Sequence, residues 1–421
     1  MTTLLPHAVR SVVGDAATEC SSRSLFFDRF ADPRIEKEEE KTWYRAAFSK
    51  SPEIQRLAAC QRLLKRSEGR SHVVFGQLLS RLTINLAGSV MENAGLCLDR
   101  FGVPYVPGSA VKGCARRMAL AALRKWCEAE MRPEAASNPA TVLCSDFEKP
   151  ADFLETVLLV FGWVEQDWAE KADLAWACAG SSHELLTEVQ SRLRRRLRVD
   201  NGELPNFGGL IAFLPAHPMC EVDPSQLPGL SLPVPEIGKL ELDVVTVHHR
   251  EYYGDPSMAF ASDTEEPVPN YFPAVAAGHV FAFPLRVLRN ADRTLLDHAA
   301  AFLRTGIVTF GLGAKTNAGY GWFHDLTDDF DAKRERDEAI AKLVADAAFL
   351  ESLKEMEDGP RRSVINAFSF EESYWKEEDE ARQLAVLEFL QSSDNPYSDD
   401  LAKPKSKIAK AFANLCAKFN P

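Results

Sequence analysis

No pair of cysteines in this 421-residue chain has C-x-x-C spacing; the nine (Cys20, Cys60, Cys97, Cys114, Cys127, Cys144, Cys178, Cys220 and Cys416) stand singly. That scatter argues against a structural zinc and against a disulfide framework. The thiols read instead as reduced, half-buried small apolar residues. Long hydrophobic runs are missing too: none approaches the roughly 18 to 20 residues of a membrane helix. The N-terminal stretch MTTLLPHAVRSVVGDAATECSS has no basic segment followed by a long apolar one. The expectation is a cytoplasmic protein without a membrane partner. Positive charge is scarce as well, with 49 Lys and Arg against 61 Asp and Glu, a net charge of -12 and a pI near 5.4. This is the wrong sign for a nucleic-acid binder that works through a diffuse positive field, so any nucleic acid must be held by a local groove or by neighbouring subunits.

Nucleotide-binding loops are absent even from the glycine-rich run near residue 311. GLGAKTNAGYGWF, residues 311–323, sets four glycines around a Lys-Thr-Asn triplet. A Walker A loop needs glycine immediately before the lysine and another five residues earlier, so that backbone N–H groups can wrap a phosphate. Here those positions are Ala314 and Thr309. A dinucleotide fingerprint fails at Thr316, where its third glycine would stand, and the loop leads into a strand-like stretch instead of a helix. What survives is a cluster of glycines that exposes N–H groups and permits positive φ, with Lys315, Thr316 and Asn317 adding donors. That suits a phosphodiester backbone as well as it suits a tight turn.

The composition, 46% hydrophobic and 26% charged, provides for a large core and more than one cooperative unit. Residues 1–71 read as an irregular arm with the acidic run EKEEEK, followed by helical spacing at Ile54, Leu57, Cys60 and Leu64. Over 72–326 the pattern is mixed. RLTINL alternates as a half-buried strand with Leu82, Ile84 and Leu86 inside. VPYVPGSAVKGCARRMALAALRKW predicts a long helix capped by Ser109. Strands are expected at 208–214, 239–245 and 279–287, then a helix in RTLLDHAAAFLR stopping at Gly306, and a last strand from Gly321. This order predicts an α+β fold of ferredoxin type, an antiparallel sheet with helices on one face. A helical insertion over about 125–205 and a helical extension over 327–421 are appended; the latter has apolar positions at Ile340, Leu343, Ala347, Leu350, Leu384, Leu387, Ile408, Phe412, Leu415 and Phe419. Both read as packing surfaces for partners or for the core.

A second loop, PYVPGSAVKG, places Gly108, Ser109 and Lys112 at a helix N-terminus, where unpaired N–H groups and the macrodipole favour a phosphate, with Arg116 one turn further along. At these two loops the sequence resembles the RAMP superfamily of CRISPR RNA-binding subunits. The strings MENAGLCLDRFGVPYVPGSAVKGCARR, FGW, GGLIAFLPAHP, LDVVTVHHREYYGD and TFGLGAKTNAGYGWF follow one another as in its sixth-subunit Cmr branch of type III-B systems. The resemblance covers roughly 72–326. It implies a glycine-rich loop lying against guide RNA, with guide and target RNA as partners beside other Cmr-type subunits, including the repeated backbone subunit. Its expected RNA contacts are Gly108, Ser109, Lys112, Arg116, Gly311, Gly313, Lys315, Thr316, Asn317 and Tyr320. One departure is Leu214-Pro215-Ala216, where the family carries an acidic residue whose role cannot be carried over.

No cofactor and no catalytic residue is expected. Lys112, Arg116 and Lys315 would neutralise on the order of three phosphates, a salt slope of about -2 at roughly -0.7 per phosphate, so binding by the chain alone should be weak. His248-His249 is the most catalytic-looking pair, because metal-free RNA cleavage needs a base near neutral pKa. Neighbouring strand residues point to opposite faces, however, and no second acid or base is placed. His217, His248, His249 and Asp243 show no recognised metal spacing. RLRRRLR (192–198) reads as a solvated helix face, or as a surface for RNA or an acidic subunit. An endoribonuclease of the same superfamily and an adaptor without RNA contact stand as alternatives.

Overall fold

Apolar VFAFPLRV becomes the central strand because almost nothing in it needs water: every residue from Val280 to Leu285 is buried. In the computed structural model, residues 11–12, 20–31, 37–55, 57, 61, 70–86, 96–131, 142–169, 171–180, 182–199, 204–289, 291–369, 380–392 and 395–419 are described. They form strands β1 (Ser71–Leu78), β2 (Gly162–Trp163), β3 (Phe207–Gly208), β4 (Ile211–Phe213), β5 (His217–Pro218), β6 (Leu240–Val247), β7 (Val268–Val275), β8 (Val280–Val287) and β9 (Phe323–Asp325). The helices are α1 (Arg23–Asp28), α2 (Lys37–Phe48), α3 (Gly108–Met131), α4 (Pro150–Phe161), α5 (Asp173–Ala177), α6 (Ser182–Leu197), α7 (Arg250–Gly254), α8 (Thr294–Thr309), α9 (Thr327–Glu355), α10 (Asp358–Ala367), α11 (Glu380–Gln391), α12 (Ser398–Leu401) and α13 (Lys407–Phe419). The chain divides into two compact units, Met1–Asp329 and Phe330–Pro421.

In the first unit the main sheet has the order β4-β8-β1-β9, with β5 also on β8, and every pairing is antiparallel. Along the chain this is strand, helix α3, two strands, helix α8 and strand, a mixed helix-and-sheet fold. Helices α3 and α8 pack on one another, and α8 covers β1, β8 and β9. Phe281 and Phe283 of β8 meet Phe323 of β9 edge-on at 5.9 and 5.5 Å. The edge formed by β4 and β5 is broken by a shift of one residue: Phe213 faces Leu285, but His217 faces Ala282. The intervening Ala216 turns away to pair with Val106. Elsewhere the sheet is stitched by Gln77, fully buried, whose amide donates to the Leu232 carbonyl (2.7 Å) and accepts from the Ser231 and Leu232 amides.

Several expectations change. RLTINL makes isolated bridges instead of a strand, Leu82 with Val275 and Thr83 with Ala314. Thr83, placed on the polar side, is buried because its hydroxyl donates to the Ala314 carbonyl at 3.0 Å. Helix α8 runs past Gly306 to Thr309; that glycine lets two helices close, since a Cβ there would lie 3.1 Å from the Cys114 carbonyl oxygen. The N-terminal segment is tied to the body by buried Arg23, which donates to the carbonyls of Lys50 (2.6 Å), Gly238 (2.6 Å), Gly102 and Phe48. Burial pushes its guanidinium down to about 10. Of the helix expected after it, Leu57 is buried and Ile54 exposed, while Cys60 and Leu64 lie outside the described residues.

The middle insertion joins the same core: Phe153 of α4 meets Phe302 of α8 edge-on at 5.5 Å. The arginine run on α6 faces inward in part. Arg192 pairs with Asp152, Glu155 and Glu188, and Arg196 with Glu155. In the second unit Leu353, Ile365, Val386, Tyr397, Ile408 and Leu415 make a core of their own. Ile340 and Leu384 are exposed and take no part in that core; Leu343 and Ala347 have no described side chains.

Candidate nucleic-acid interface

Helix α3 starts where Val106 exchanges hydrogen bonds of 2.8 and 2.9 Å with Ala216. The Pro107 carbonyl then accepts from Ala110 (2.9 Å) and Val111 (3.1 Å), so the helix opens at Gly108, one residue before the expected Ser109 cap. Gly108 is a close-approach residue: a Cβ would sit 2.2 Å from the Phe213 carbonyl oxygen. Ser109 is exposed and Lys112 half-buried. Burial, and secondly Arg116 nearby, lower the Lys112 amine below its ordinary value. Arg116 is held by Asp167 (3.1 Å) and Asp173, so two carboxylates of the insertion already answer its charge.

The glycine-rich loop follows Phe310. Positive φ angles occur at Gly311 (67°), Gly313 (102°), Lys315 (58°), Gly319 (92°) and Gly321 (68°). The loop is laced to the RLTINL segment: the Ala314 amide donates to the Thr83 carbonyl (2.7 Å) and the Gly321 amide to the Arg81 carbonyl (2.8 Å). Across its base the Leu312 amide donates to the Gly321 carbonyl at 2.8 Å, and the Trp322 indole to the Thr316 carbonyl at 3.1 Å. These bonds leave the amides of Gly313, Lys315, Thr316 and Asn317 with no protein acceptor among the described residues. Successive free N–H groups on a backbone alternating in hand build an anion-holding concavity. The Lys315 ammonium lies 5.2 Å from the Phe272 ring centroid, and Asn317 is exposed. Tyr320 is tethered: its hydroxyl donates to Asp243 Oδ2 at 2.6 Å, and Arg81 reaches the same oxygen at 2.9 Å. Burial and that hydrogen bond push the phenol up to about 12.

The two segments, 200 residues apart in sequence, face each other across a groove of about 530 Å³. Ala110, Gly113 and Arg117 line it from α3, and Gly311, Gly313 and Thr316 from the loop. Gly108, Ser109, Lys112, Arg116, Lys315, Asn317 and Tyr320 are not in that lining, although each belongs to α3 or to the glycine-rich loop. Arg117 was not among the sequence candidates. It is exposed, its guanidinium carbon lies 4.2 Å from the Phe310 ring centroid, and no carboxylate pairs with it among the described residues. The signal was available in the spacing, since Ala110, Gly113, Cys114 and Arg117 fall at i, i+3, i+4 and i+7 on one helix face.

The histidine pair sits elsewhere. Strand β6 ends at Val247, so His248 and His249 follow the strand instead of alternating along it, and His249 precedes α7. Its Nδ1 lies 3.9 Å from Glu265 Oε2, beyond hydrogen-bond reach, and both atoms are buried without a partner. Glu265 also takes the Glu251 amide on its other oxygen. His217 lies 3.9 Å from Asp99 and stacks on Tyr105. Among the described residues no three His, Cys, Asp or Glu side chains gather to hold a metal, and no helix is long and apolar enough to cross a membrane.

A sheet flanked by α3 and α8, with a glycine-rich loop between α8 and β9, is the part of the chain that matches a family model. The RAMP superfamily model aligns with residues 77–324, and the chain belongs to that superfamily. Within it the chain is Cmr6-like: it is 26% identical over 260 residues to the CRISPR system Cmr subunit Cmr6 of Pyrococcus furiosus, an alignment covering 59% of this chain and 67% of that protein. Two solved structures are similar in part. A chain of the type III-B Cmr-beta complex bound to cognate target RNA matches at 15% identity and TM-score 0.36, over 76% of this chain and 88% of that one. The crystal structure of Cmr6 from Pyrococcus furiosus matches at 21% identity and TM-score 0.28, over 61% of this chain and 97% of that one.

Proposed function

We propose that the groove between α3 and the glycine-rich loop holds a single-stranded RNA backbone, and that the chain is a non-catalytic RNA-binding subunit of a type III CRISPR effector complex. In this reading it holds the 3′ region of the guide RNA on a ferredoxin-like sheet, beside the repeated backbone subunit, and serves target-RNA surveillance in antiviral defence in the cytoplasm. The observation that carries the reading is the set of amides without a protein acceptor among the described residues, at Gly313, Lys315, Thr316 and Asn317, on the loop that faces the unpaired cation Arg117 across the groove. Such a wall binds phosphate without reading bases, which leaves sequence choice to guide–target pairing. With Arg116 committed to two carboxylates, the phosphate-neutralising set is Arg117, Lys112 and Lys315. About three phosphates at roughly -0.7 each give a salt slope near -2, which on a chain of charge -12 makes RNA retention a property of the assembly.

The test is guide-RNA retention in a complex reconstituted with Lys112→Glu, Arg117→Glu and Lys315→Glu combined. Retention should fall on the order of a hundredfold in total at fixed salt, with a shallower salt dependence; unchanged retention would sink the assignment. The approach of His249 to Glu265 favours a second reading, endoribonuclease activity. Cleavage of repeat RNA by the purified chain, lost in His249→Ala, would replace the first reading with that one.

A further inference from the structure

The groove does not end at the glycine-rich loop. Gly113, Arg117 and Phe310 line it and also line a second hollow of about 750 Å³, so the two adjoin at a saddle made by these residues. The far wall of the hollow comes from the middle insertion: Lys171, Asp173 and Trp176. Trp176 is 51% exposed, and the other described tryptophans are buried or half-buried. Its position is fixed: Arg124 donates to its backbone carbonyl at 2.6 Å and lies 5.3 Å from the ring centroid.

Charge sorts the possible occupants. Asp173 is spent on Arg116, while Arg117 and Lys171 have no carboxylate partner among the described residues. A surface with surplus positive charge beside an anchored, half-open indole, on a chain of net charge -12, is complementary to a flat ring joined to a phosphate. Gly113 adds a third feature. It is exposed in the interior of α3, where glycine weakens a helix, and a Cβ built on it would meet nothing within 4 Å. The fold has no use for its missing side chain, whereas a strand passing over the saddle would.

We propose that the hollow seats one nucleotide of the RNA strand leaving the loop groove, its base on Trp176 and its phosphate between Arg117 and Lys171, with Gly113 giving the strand room to cross α3. This rests on the RNA-binding reading given above and adds to it a role for the insertion.

The experiment measures binding of a fluorescein-labelled single-stranded RNA oligonucleotide to the full-length chain at low salt, with photo-crosslinking from 4-thiouridine in the same RNA. Trp176→Ala should weaken binding on the order of tenfold, while Trp176→Phe keeps most of the affinity. Lys171→Glu should weaken it and flatten the salt dependence, and the wild-type crosslink should map to the peptide holding Trp176. If Lys112→Glu with Lys315→Glu weakens binding while Trp176→Ala and Lys171→Glu do not, the hollow is not a nucleotide site although the loop groove stands. If none of these variants weakens binding, the groove reading itself fails. If Trp176→Ala keeps RNA affinity but releases the chain from the assembled complex, the hollow covers a protein and the proposal is overturned.

Discussion

The two walls of the groove both carry glycine, for opposite reasons. In the loop, the fold demands it: a Cβ on Gly321 would lie 1.9 Å from the Leu312 carbonyl oxygen, on Gly313 2.5 Å from that of Thr83, and on Gly311 2.8 Å from that of Gly321, all at positive φ. On α3, Gly113 has ordinary helical backbone and open space where its side chain would be. A glycine that the chain's own contacts explain says little about ligands. One that they do not explain points outward, and here it points into the groove.

The largest test of that contrast is Gly321→Ala. Collision with a backbone carbonyl at positive φ should cost about 3 kcal/mol and lower the unfolding midpoint by several degrees, read by calorimetry; a variant of native stability would mean that the loop is not laced as described. Next is Tyr320→Phe, which removes a hydrogen bond to a carboxylate, worth roughly 1.5 kcal/mol. Burial alone would raise the Asp243 pKa, but hydrogen bonds from Tyr320 and the Val244 amide, and the charge of Arg81, hold it below the ordinary 3.8. The native state therefore binds that proton less readily than the unfolded chain. The associated stability is complete above the ordinary carboxylate range and disappears as pH falls through the native value. Tyr320→Phe should accordingly unfold with less acid sensitivity below about pH 4 than wild type; identical acid transitions would remove Tyr320 from its anchoring role. The smallest effect is Gly113→Ala, expected to stabilise the free chain by about 0.5 to 1 kcal/mol because helix propensity improves and nothing is struck. Destabilisation would show that an internal contact, and not a ligand, explains the glycine.

Part of the fold was legible because periodicity and apolar runs report burial directly: β6, β8 and α8 fall where the patterns put them, give or take the end at Gly306, whereas β1 and β7 were not expected and the strand expected at 208–214 is split between β3 and β4, which belong to different sheets. The glycine-rich loop was legible from composition, and the structure adds why its glycines are spaced as they are. Three things were hidden because they depend on contacts far apart in sequence. Thr83 reads as an outward-facing polar residue until the Ala314 carbonyl arrives beside it. Arg116 reads as a free cation until Asp167 and Asp173 of the insertion close on it. Arg117 reads as one more basic residue until Phe310 comes under it. The C-terminal helices, read as packing surfaces for partners or for the core, pack at least in part on each other: Ile408 and Leu415 of α13 are buried in a core they share with α10 and α11.

The central claim is that RNA lies between α3 and the glycine-rich loop, and the most direct measurement is crosslink mapping in the assembled complex. Guide RNA carrying photoreactive bases, irradiated and digested for mass spectrometry, should leave adducts on peptides spanning 108–117 and 311–320. Adducts confined to other peptides, with both of these clean, would contradict it.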